Sequence, residues 1–404
     1  MRILVVGLNY APEHAGIAPY TTGTARALAA AGHDVRVVAG FPYYPQWRTA
    51  AGYRGLVRHE TDGPVRLTRL RHFVPRDSAG LGRILHEGSF AAHAWLRARG
   101  LRDVDVVLGI SPSLLSLVAA RQLAATAGAA FGVVVQDLYA SAAAELGTPG
   151  GSHVGRLEGR LLRAADGVVA VHECFAEALR QRHGVEPGRI TVIRNWTHTG
   201  PPADEPWPEE HPWPAGRGPV VLHAGNMGAK QGLENVVAAA RLAEERGEDV
   251  RFMLVGDGSR RAELCRLATG IRRASVLPPV PDRHFPGMLA AADVLVVNER
   301  PGLRSVCVPS KLTSYFAAGR PVLAATEPDS PAGIELAAAG AGVRVTPGDP
   351  EALLAAALQL GHDRERADRF GESGRRYAKT VLGADEAARR YRDWVTALGE
   401  RSPG

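Results

Sequence analysis

The 404-residue sequence predicts an α/β protein made of two parallel-sheet domains facing each other across a cleft. Three observations predict it. Apolar strand-like segments alternate with helical periodicity from residue 3 onward, the βαβ pattern of a parallel sheet. Seven prolines, at 201, 202, 206, 208, 212, 214 and 219, then come without any periodicity and read as an extended connector. The alternation restarts at residue 220. Open α/β sheets bind ligands outside the carboxyl ends of their strands, so two of them joined by a hinge put the expected site between them.

In the first half, residues 3–6 read as a strand, 21–31 as a helix and 35–38 as the next strand. The order continues with a strand at 104–108, a helix at 113–127 and strands at 132–135 and 165–171. Residues 81–101 form an amphipathic pattern carrying Phe90 and Trp95, with Arg83, Arg97 and Arg99 at other positions. Such a helix would rest on a membrane surface or, more plainly, pack on its own domain. After the connector come strands at 220–223, 250–255, 274–277, 293–297 and 321–324, with helices at 233–246, 259–269, 284–291 and 311–318 between them. A last helix, 384–398, carries Tyr391, Trp394 and Leu398 as a packing stripe. The expected domains are 1–198 and 220–381, joined by 199–219, with the helix at 382–404 packing back on the first.

Composition narrows the class. Charged residues at 22% and apolar residues at 45% describe a globular chain, and no apolar run approaches the ~20 residues that cross a bilayer. The opening MRILVVGL turns polar after a short run, as a first strand does and a signal peptide does not. Cys174, Cys265 and Cys307 are odd in number and widely spaced, which suggests a reducing cytoplasm and no disulfide or zinc framework. Residues 1–196 hold 22 Arg against 15 acids, and residues 53–102 alone hold ten Arg against four. A basic half of this kind suits an anionic partner such as a membrane surface, a phosphorylated substrate or nucleic acid, unless arginine merely solvates the helices.

The chemistry gathers at strand ends. In VVLHAGNMGAKQGL (220–233) a strand breaks into Gly225-Asn226-Met227-Gly228, and a helical pattern begins near Gln231. A glycine turn between strand and helix aims backbone N–H groups and the positive helix end at an anion, so this is a place to hold phosphate. The alternative is an ordinary βα turn. Lys230 stands in that turn, one of three lysines among 45 arginines. Lys311 follows Pro309-Ser310 and precedes Leu312 in the first turn of another helix, where a cation is disfavoured unless an anion is also bound. Two lysines of one domain at helix starts suit a diphosphate. Elsewhere, Gly16 precedes the first helix, and Gln136-Asp137 puts an acid where the first sheet opens. Pro278-Pro279-Val280-Pro281 makes a stiff loop that would offer backbone to a planar base. GxGxxG, GxxxxGK[ST], GxSxG and HExxH are all absent, and with them the corresponding cofactor, hydrolase and metalloprotease chemistries.

Taken together, MRILVVGLNYAPEHAGIAPYT, FPYYPQWR, VQDLY, ADGVVAVHECF, RITVIRNW, HAGNMGAKQGLENVV, FMLVGDGSRRAEL, AADVLVVNERPG, VPSKLTSYFAAGRPVLA and GDPEALLAAAL resemble the family-4 glycosyltransferases of GT-B fold. The likeness spans about residues 1–395 and is greatest to the colanic-acid and O-antigen branch. It implies two Rossmann-like domains, acceptor-binding then donor-binding, and a retaining, metal-independent transfer from a nucleotide-sugar, UDP-linked, with no other cofactor. The acceptor would be a glycan, a lipid-linked intermediate or a small natural product, and nucleic acid is not an expected partner. The implied location is cytoplasmic or peripheral on the inner membrane face.

Residue by residue, Asn226 and Lys230 match the pair that grips the diphosphate, with Lys230 stabilising the charge on leaving UDP. Ser310 and Lys311 would contact donor phosphates or sugar, and Val280 matches the backbone that meets the base. Gly225, Gln231, Glu299 and Leu312 complete the expected donor site. Gly16 and Ile17 match a loop closing over donor and acceptor. Gln136 stands where many relatives carry histidine beside the sugar, and Asp137 follows it. The sequence also departs from the family: two glutamates common in relatives correspond to Val306 and Ser314, and Glu299 is out of register with either. The donor sugar is therefore open, with a deoxygenated or N-acetylated hexose as candidates. A nucleotide-sugar 2-epimerase of the same fold, or a binding module without turnover, are the alternatives to transfer.

Overall fold

A computed structural model describes residues 1–13, 16–44, 46–75, 80–138, 151–197, 213, 216–303 and 311–400. The chain divides into two units, Met1–Asn195 with Ala384–Gly404, and Trp196–Gly383. The proline-rich connector falls almost wholly outside the described residues.

Unit 1 is built on β1 (Arg2–Val6), β2 (Asp34–Gly40), β3 (Val57–Asp62), β4 (Val65–Leu70), β5 (Val106–Ile110), β6 (Ala130–Val135), β7 (Gly167–Ala170) and β8 (Ile190–Val192). Among the described residues these strands form one sheet in the order β3-β4-β2-β1-β5-β6-β7-β8. β1 is central, with Val5 opposite Val37 on one side and Leu108 on the other. Its run of apolar residues is what a strand covered on both faces requires. The sheet is parallel except at its edge, where β3 and β4 pair antiparallel.

That hairpin lies in the basic segment, where β4 alternates apolar and polar residues only from Val65 to Thr68 before the pattern breaks at Arg69. Arg69, on the inward side of β4, is only 3% exposed, and its Nε donates to Glu60 Oε2 across the hairpin at 2.7 Å. A buried ion pair replaces the apolar residue that alternation would demand. The helices of the unit are α1 (Ala18–Ala30), α2 (Gly80–Ala98), α3 (Leu114–Ala127), α4 (Gly151–Arg163) and α5 (Glu173–Gln181). α1 starts three residues earlier than its apolar pattern, because Pro19 in the first turn suits a helix start.

Unit 2 repeats the plan with β9 (Val220–Ala224), α6 (Glu234–Arg246), β10 (Arg251–Val255), α7 (Arg261–Ala268), β11 (Ala274–Leu277), α8 (Phe285–Ala291), β12 (Val294–Asn298), α9 (Lys311–Ala318) and β13 (Val322–Ala325). It continues with α10 (Pro331–Ala339), β14 (Gly342–Val345), α11 (Pro350–His362) and α12 (Arg364–Thr380). The described strands are all parallel, in the order β11-β10-β9-β12-β13-β14. Successive residues of β9 serve opposite faces: Leu222 joins a core with Met253, Leu295 and Tyr315, and Val221 one with Phe252, Val294 and Val296.

The last helix, α13 (Ala384–Glu400), belongs to unit 1. Gly132 and Gly167 stand opposite each other on β6 and β7. A Cβ on Gly132 would lie 2.7 Å from Leu398 and 2.9 Å from Trp394, and one on Gly167 would lie 3.0 Å from both. Two paired glycines thus cut a notch in the sheet face that these two side chains fill. Among the described residues no helix is long and apolar enough to cross a membrane.

Candidate active site

In unit 2 the strand order reverses between β9 and β12, the place where a doubly wound sheet opens a crevice at its carboxyl edge. The loop leaving β9 is Gly225-Asn226-Met227-Gly228, followed by a single 3-10 turn, Ala229–Gln231. Gly232 then adopts the left-handed conformation at φ 54°, and only afterwards does α6 begin. Lys230 therefore lies in its own short turn and not at the start of the long helix, correcting the sequence-based placement. The amides of Gly225 and Met227 donate to the carbonyls of Val255 and Asp257, both at 2.8 Å, and that of Gly228 to Gln231 Oε1 at 2.9 Å. Three of the N–H groups expected to face an anion are consumed by the protein, so positive character here rests on side chains. The amide of Gln231's side chain is tied to this turn through the same residue's oxygen, which fixes the loop rather than leaving Gln231 wholly free for a ligand.

Lys311 supplies one such side chain. Tyr315, four residues later on the same face of α9, accepts a hydrogen bond from the Ala224 amide at 2.8 Å and donates to the Ala224 carbonyl at 3.3 Å. This clamps α9 onto the end of β9. One turn earlier, Lys311 reaches over the loop: a Cβ on Gly225 would lie 3.9 Å from Lys311 Cε. His223, fully buried, is held well below the usual histidine range by burial and then by the nearby Lys311 charge. A neutral histidine beside the lysine adds no further positive charge to the crevice.

The other wall is the loop after β12. Asn298 Nδ2 donates to the carbonyls of Gln231 and Gly232 at 2.8 and 2.9 Å, while its Oδ1 accepts from Asn235 Nδ2 at 2.8 Å. The Arg300 amide donates to the Lys230 carbonyl at 3.0 Å. Glu299, between them, anchors its amide on the Ala325 carbonyl at 3.0 Å. Lys230, half-buried, is thus held beside Arg300 through its backbone, while Asn226 is exposed. The loop after β10 also closes in: a Cβ on Gly256 would sit 1.8 Å from the Gly225 carbonyl oxygen, and one on Gly258 2.7 Å from Asn226 Oδ1. Both glycines have positive φ, so Gly256-Asp257-Gly258 is required for close approach and is more than the ordinary turn its composition suggests.

The remaining expected donor residues divide. Val280 follows β11 at the same carboxyl edge and is half-buried against the core. Leu312 is only 1% exposed and packs in the core, which corrects its assignment as a ligand contact: its side chain holds α9 in place. Ser310 and Val306 lie outside the described residues, and Ser314 is buried in α9.

In unit 1, Gly16 has φ 65°, and a Cβ there would lie 3.1 Å from the Tyr44 ring. Ile17 caps α1 through its backbone. Gln136 is buried at the end of β6, where its Oε1 accepts from Asn195 Nδ2 at 2.9 Å. Asp137 accepts the Leu138 amide at 2.9 Å, and its carbonyl accepts the Ser111 hydroxyl at 2.9 Å. Both residues therefore carry structural duties that tie β6 to its neighbours, and the Gln136 oxygen already accepts one of those hydrogen bonds.

Glu13 is a residue that sequence reasoning missed. Its carboxylate, 6% exposed, accepts the amides of Tyr43 and Tyr44 at 2.8 Å each and Asn9 Nδ2 at 3.0 Å. Burial raises its pKa against these donors. The one signal for it was an acid inside the NYAPEHAG string, and the same holds for Tyr315 and Asn298, each a polar residue within an apolar element. Among the described residues no group of three or more His, Cys, Asp or Glu side chains gathers into a metal site.

Comparison with known proteins agrees with this architecture. Residues 15–196 match the glycosyl transferase 4-like domain and residues 218–363 the glycosyl transferases group 1 domain. The chain is 31% identical, over 97% of its length and 98% of the relative's, to a protein of Escherichia coli K12 described as a colanic acid biosynthesis glycosyl transferase, WcaI. Among solved structures, sucrose-phosphate synthase from Thermosynechococcus elongatus superposes with a TM-score of 0.76 at 18% identity, covering 99% of this chain and 100% of that one. Anabaena HepE, crystallised with UDP, gives 0.71 at 15% identity, covering 98% and 100%. The chain belongs to the GT-B glycosyltransferases that join a glycosyl transferase 4-like domain to a group 1 domain, the family of the colanic acid enzyme.

Proposed function

We propose that the protein transfers a sugar, with retention at the anomeric carbon, from a UDP-sugar to a lipid-linked glycan. Lys311 carries this reading, since it is clamped by Tyr315 over the first glycine of the β9 loop at the switch point of the donor-side sheet. Lys230 in the same loop supplies a second ammonium, and Asn226 a polar contact. Two ammonium groups beside a diphosphate stabilise the charge that develops as the C1–O bond breaks and UDP departs with the electron pair. The acceptor hydroxyl forms the new bond to C1, and its proton passes to the departing phosphate. The lysines provide the positive charge a divalent cation would otherwise bring, so turnover should survive EDTA.

A lipid-linked acceptor is supported by α2. This helix buries His86 and Glu87 but leaves Leu81 77%, Ile84 58%, Leu85 58% and Leu96 54% exposed, with Arg97 and Arg99 at its end. An apolar stripe beside cations suits the surface of an anionic bilayer, where such an acceptor resides.

UDP release from a panel of UDP-sugars, measured with and without a polyprenyl diphosphate glycan, tests the reading. Lys230→Ala and Lys311→Ala should each lower kcat/KM by about 10²–10³ with the unfolding temperature unchanged. Full activity in either variant would overturn the phosphate assignment for that lysine. Formation of a 2-epimer without acceptor would replace transfer by epimerisation, and equal turnover of free glycans would remove the lipid.

A further inference from the structure

The loops leaving the carboxyl ends of β1, β2 and β4 in unit 1 bring together rings that the chemistry above does not use. The centroids of Tyr43, His72 and His86 form a triangle with sides of 4.8, 4.9 and 5.2 Å, each pair edge to face. Trp47 closes on it, 5.4 Å from Tyr43 and 5.6 Å from His86. Gly40 makes room for the His72 ring, since a Cβ there would lie 2.6 Å from it. Asn9 and Glu13 tie the first loop to the second, as the Tyr43 hydroxyl pairs with Asn9 and the Glu13 carboxylate takes two backbone amides.

Two details point to a ligand. His72 Nδ1 lies 3.3 Å from the Leu70 carbonyl and His86 Nδ1 2.7 Å from that of Phe73. Each Nδ1 therefore carries the proton, which leaves each Nε2 a bare acceptor. Both Nε2 atoms are buried, in residues 7% and 3% exposed, and neither has a hydrogen-bond partner among the described residues. Burial pushes His72 down to about 4 and shifts His86 in the same direction, which favours the neutral ring at both positions. Trp47, meanwhile, is the one non-glycine described residue with positive φ, at 50°, a conformation that costs energy and persists where the surroundings impose it. A half-buried indole held that way against the His86 ring, in one cluster with two unanswered acceptors, suits a flat, hydroxyl-bearing ring.

We propose that Tyr43, Trp47, His72 and His86 form the subsite for a pyranose ring of the acceptor, whose hydroxyls donate to the two Nε2 atoms while Trp47 covers its apolar face. The assignment rests on the acceptor being a glycan, as proposed above.

Protein labelled with ¹⁵N-histidine, titrated with methyl glycosides of glucose, galactose, mannose, fucose and N-acetylglucosamine, tests it. At least one glycoside should move the Nε2 signals of His72 and His86 and leave their Nδ1 signals in place. His72→Asn and His86→Asn keep an N–H for the backbone carbonyl but place no acceptor where Nε2 stood, and each should weaken that glycoside at least ten-fold. Nε2 signals that stay fixed with every glycoside would overturn the proposal, as would Asn variants that bind as tightly as the parent. Movement with UDP-sugars alone would assign the box to the donor's sugar and equally overturn it. Stabilisation of the same samples by UDP reports separately on the donor reading, so the two can fail independently.

Discussion

Tyr315 shows how one hydroxyl can pin a helix to a strand end. It satisfies both the amide and the carbonyl of Ala224, and its position four residues after Lys311 sets where that lysine stands. Tyr315→Phe leaves a buried N–H unanswered and should cost about 1–3 kcal/mol. It should also weaken UDP binding, because α9 loses its anchor on β9. Chemical denaturation and UDP titration of one sample check both parts, and unchanged UDP affinity at lowered stability would reduce Tyr315 to a core residue. The buried histidines set a second expectation. His72, pushed to about 4, and His86, His183 and His223, all shifted down chiefly by burial, bind protons more readily unfolded than folded. Their stabilisation is present above pH ~6.5 and is lost as pH falls below it, down to about 4 for His72, at up to about 1.4 kcal/mol per pH unit for each. Glu13, raised by burial, partly offsets that loss near its own range. Melting temperatures from pH 7.5 to 5 should fall, and His72→Asn should flatten the slope; a flat parent profile would contradict the buried neutral state.

At the scale of elements, legibility in the sequence followed the period of the apolar residues. β9 to β13 are runs of Val, Leu, Met and Ala, and they lie within a residue or two of where those runs predict. β3 and β4 hid because Arg69 and Glu60 pair inside the hairpin, and a charge reads as surface whatever its partner. Lys230 was legible as a cation in a glycine turn, but the left-handed Gly232 that detaches it from α6 leaves no trace in composition. Glu13 was illegible for a different reason, since its partners are backbone amides 30 and 31 residues away. α2 combines both cases, because its burial of His86 and Glu87 and exposure of Leu81, Ile84 and Leu85 invert what an amphipathic pattern alone would orient. Flotation with anionic liposomes should carry the protein up, and Leu81→Ser/Ile84→Ser/Leu85→Ser should remain in the soluble fraction with UDP binding intact. A parent protein that fails to float would separate α2 from any bilayer.

At the scale of the whole chain, unit 1 is completed by a helix that follows unit 2 in sequence. Tyr391, Trp394, Val395 and Leu398 of α13 are buried, at 1%, 8%, 0% and 2% exposure, and the Gly132–Gly167 notch is shaped for two of them. Burying four such side chains contributes about 1.5–3 kcal/mol each, a sum comparable with the entire stability of an ordinary domain. Residues 1–195 alone would leave the notch and the surrounding face of β6 and β7 open to water. That fragment should therefore show no cooperative unfolding transition, whereas 1–195 joined by a flexible linker to 384–400 should regain one. Residues 196–383, whose strands and both core clusters are complete within the segment, should unfold cooperatively by themselves. Thermal melts of the three fragments decide the matter, and a cooperative transition in 1–195 at the temperature of the linked fragment would make α13 an accessory to unit 1 instead of part of its core.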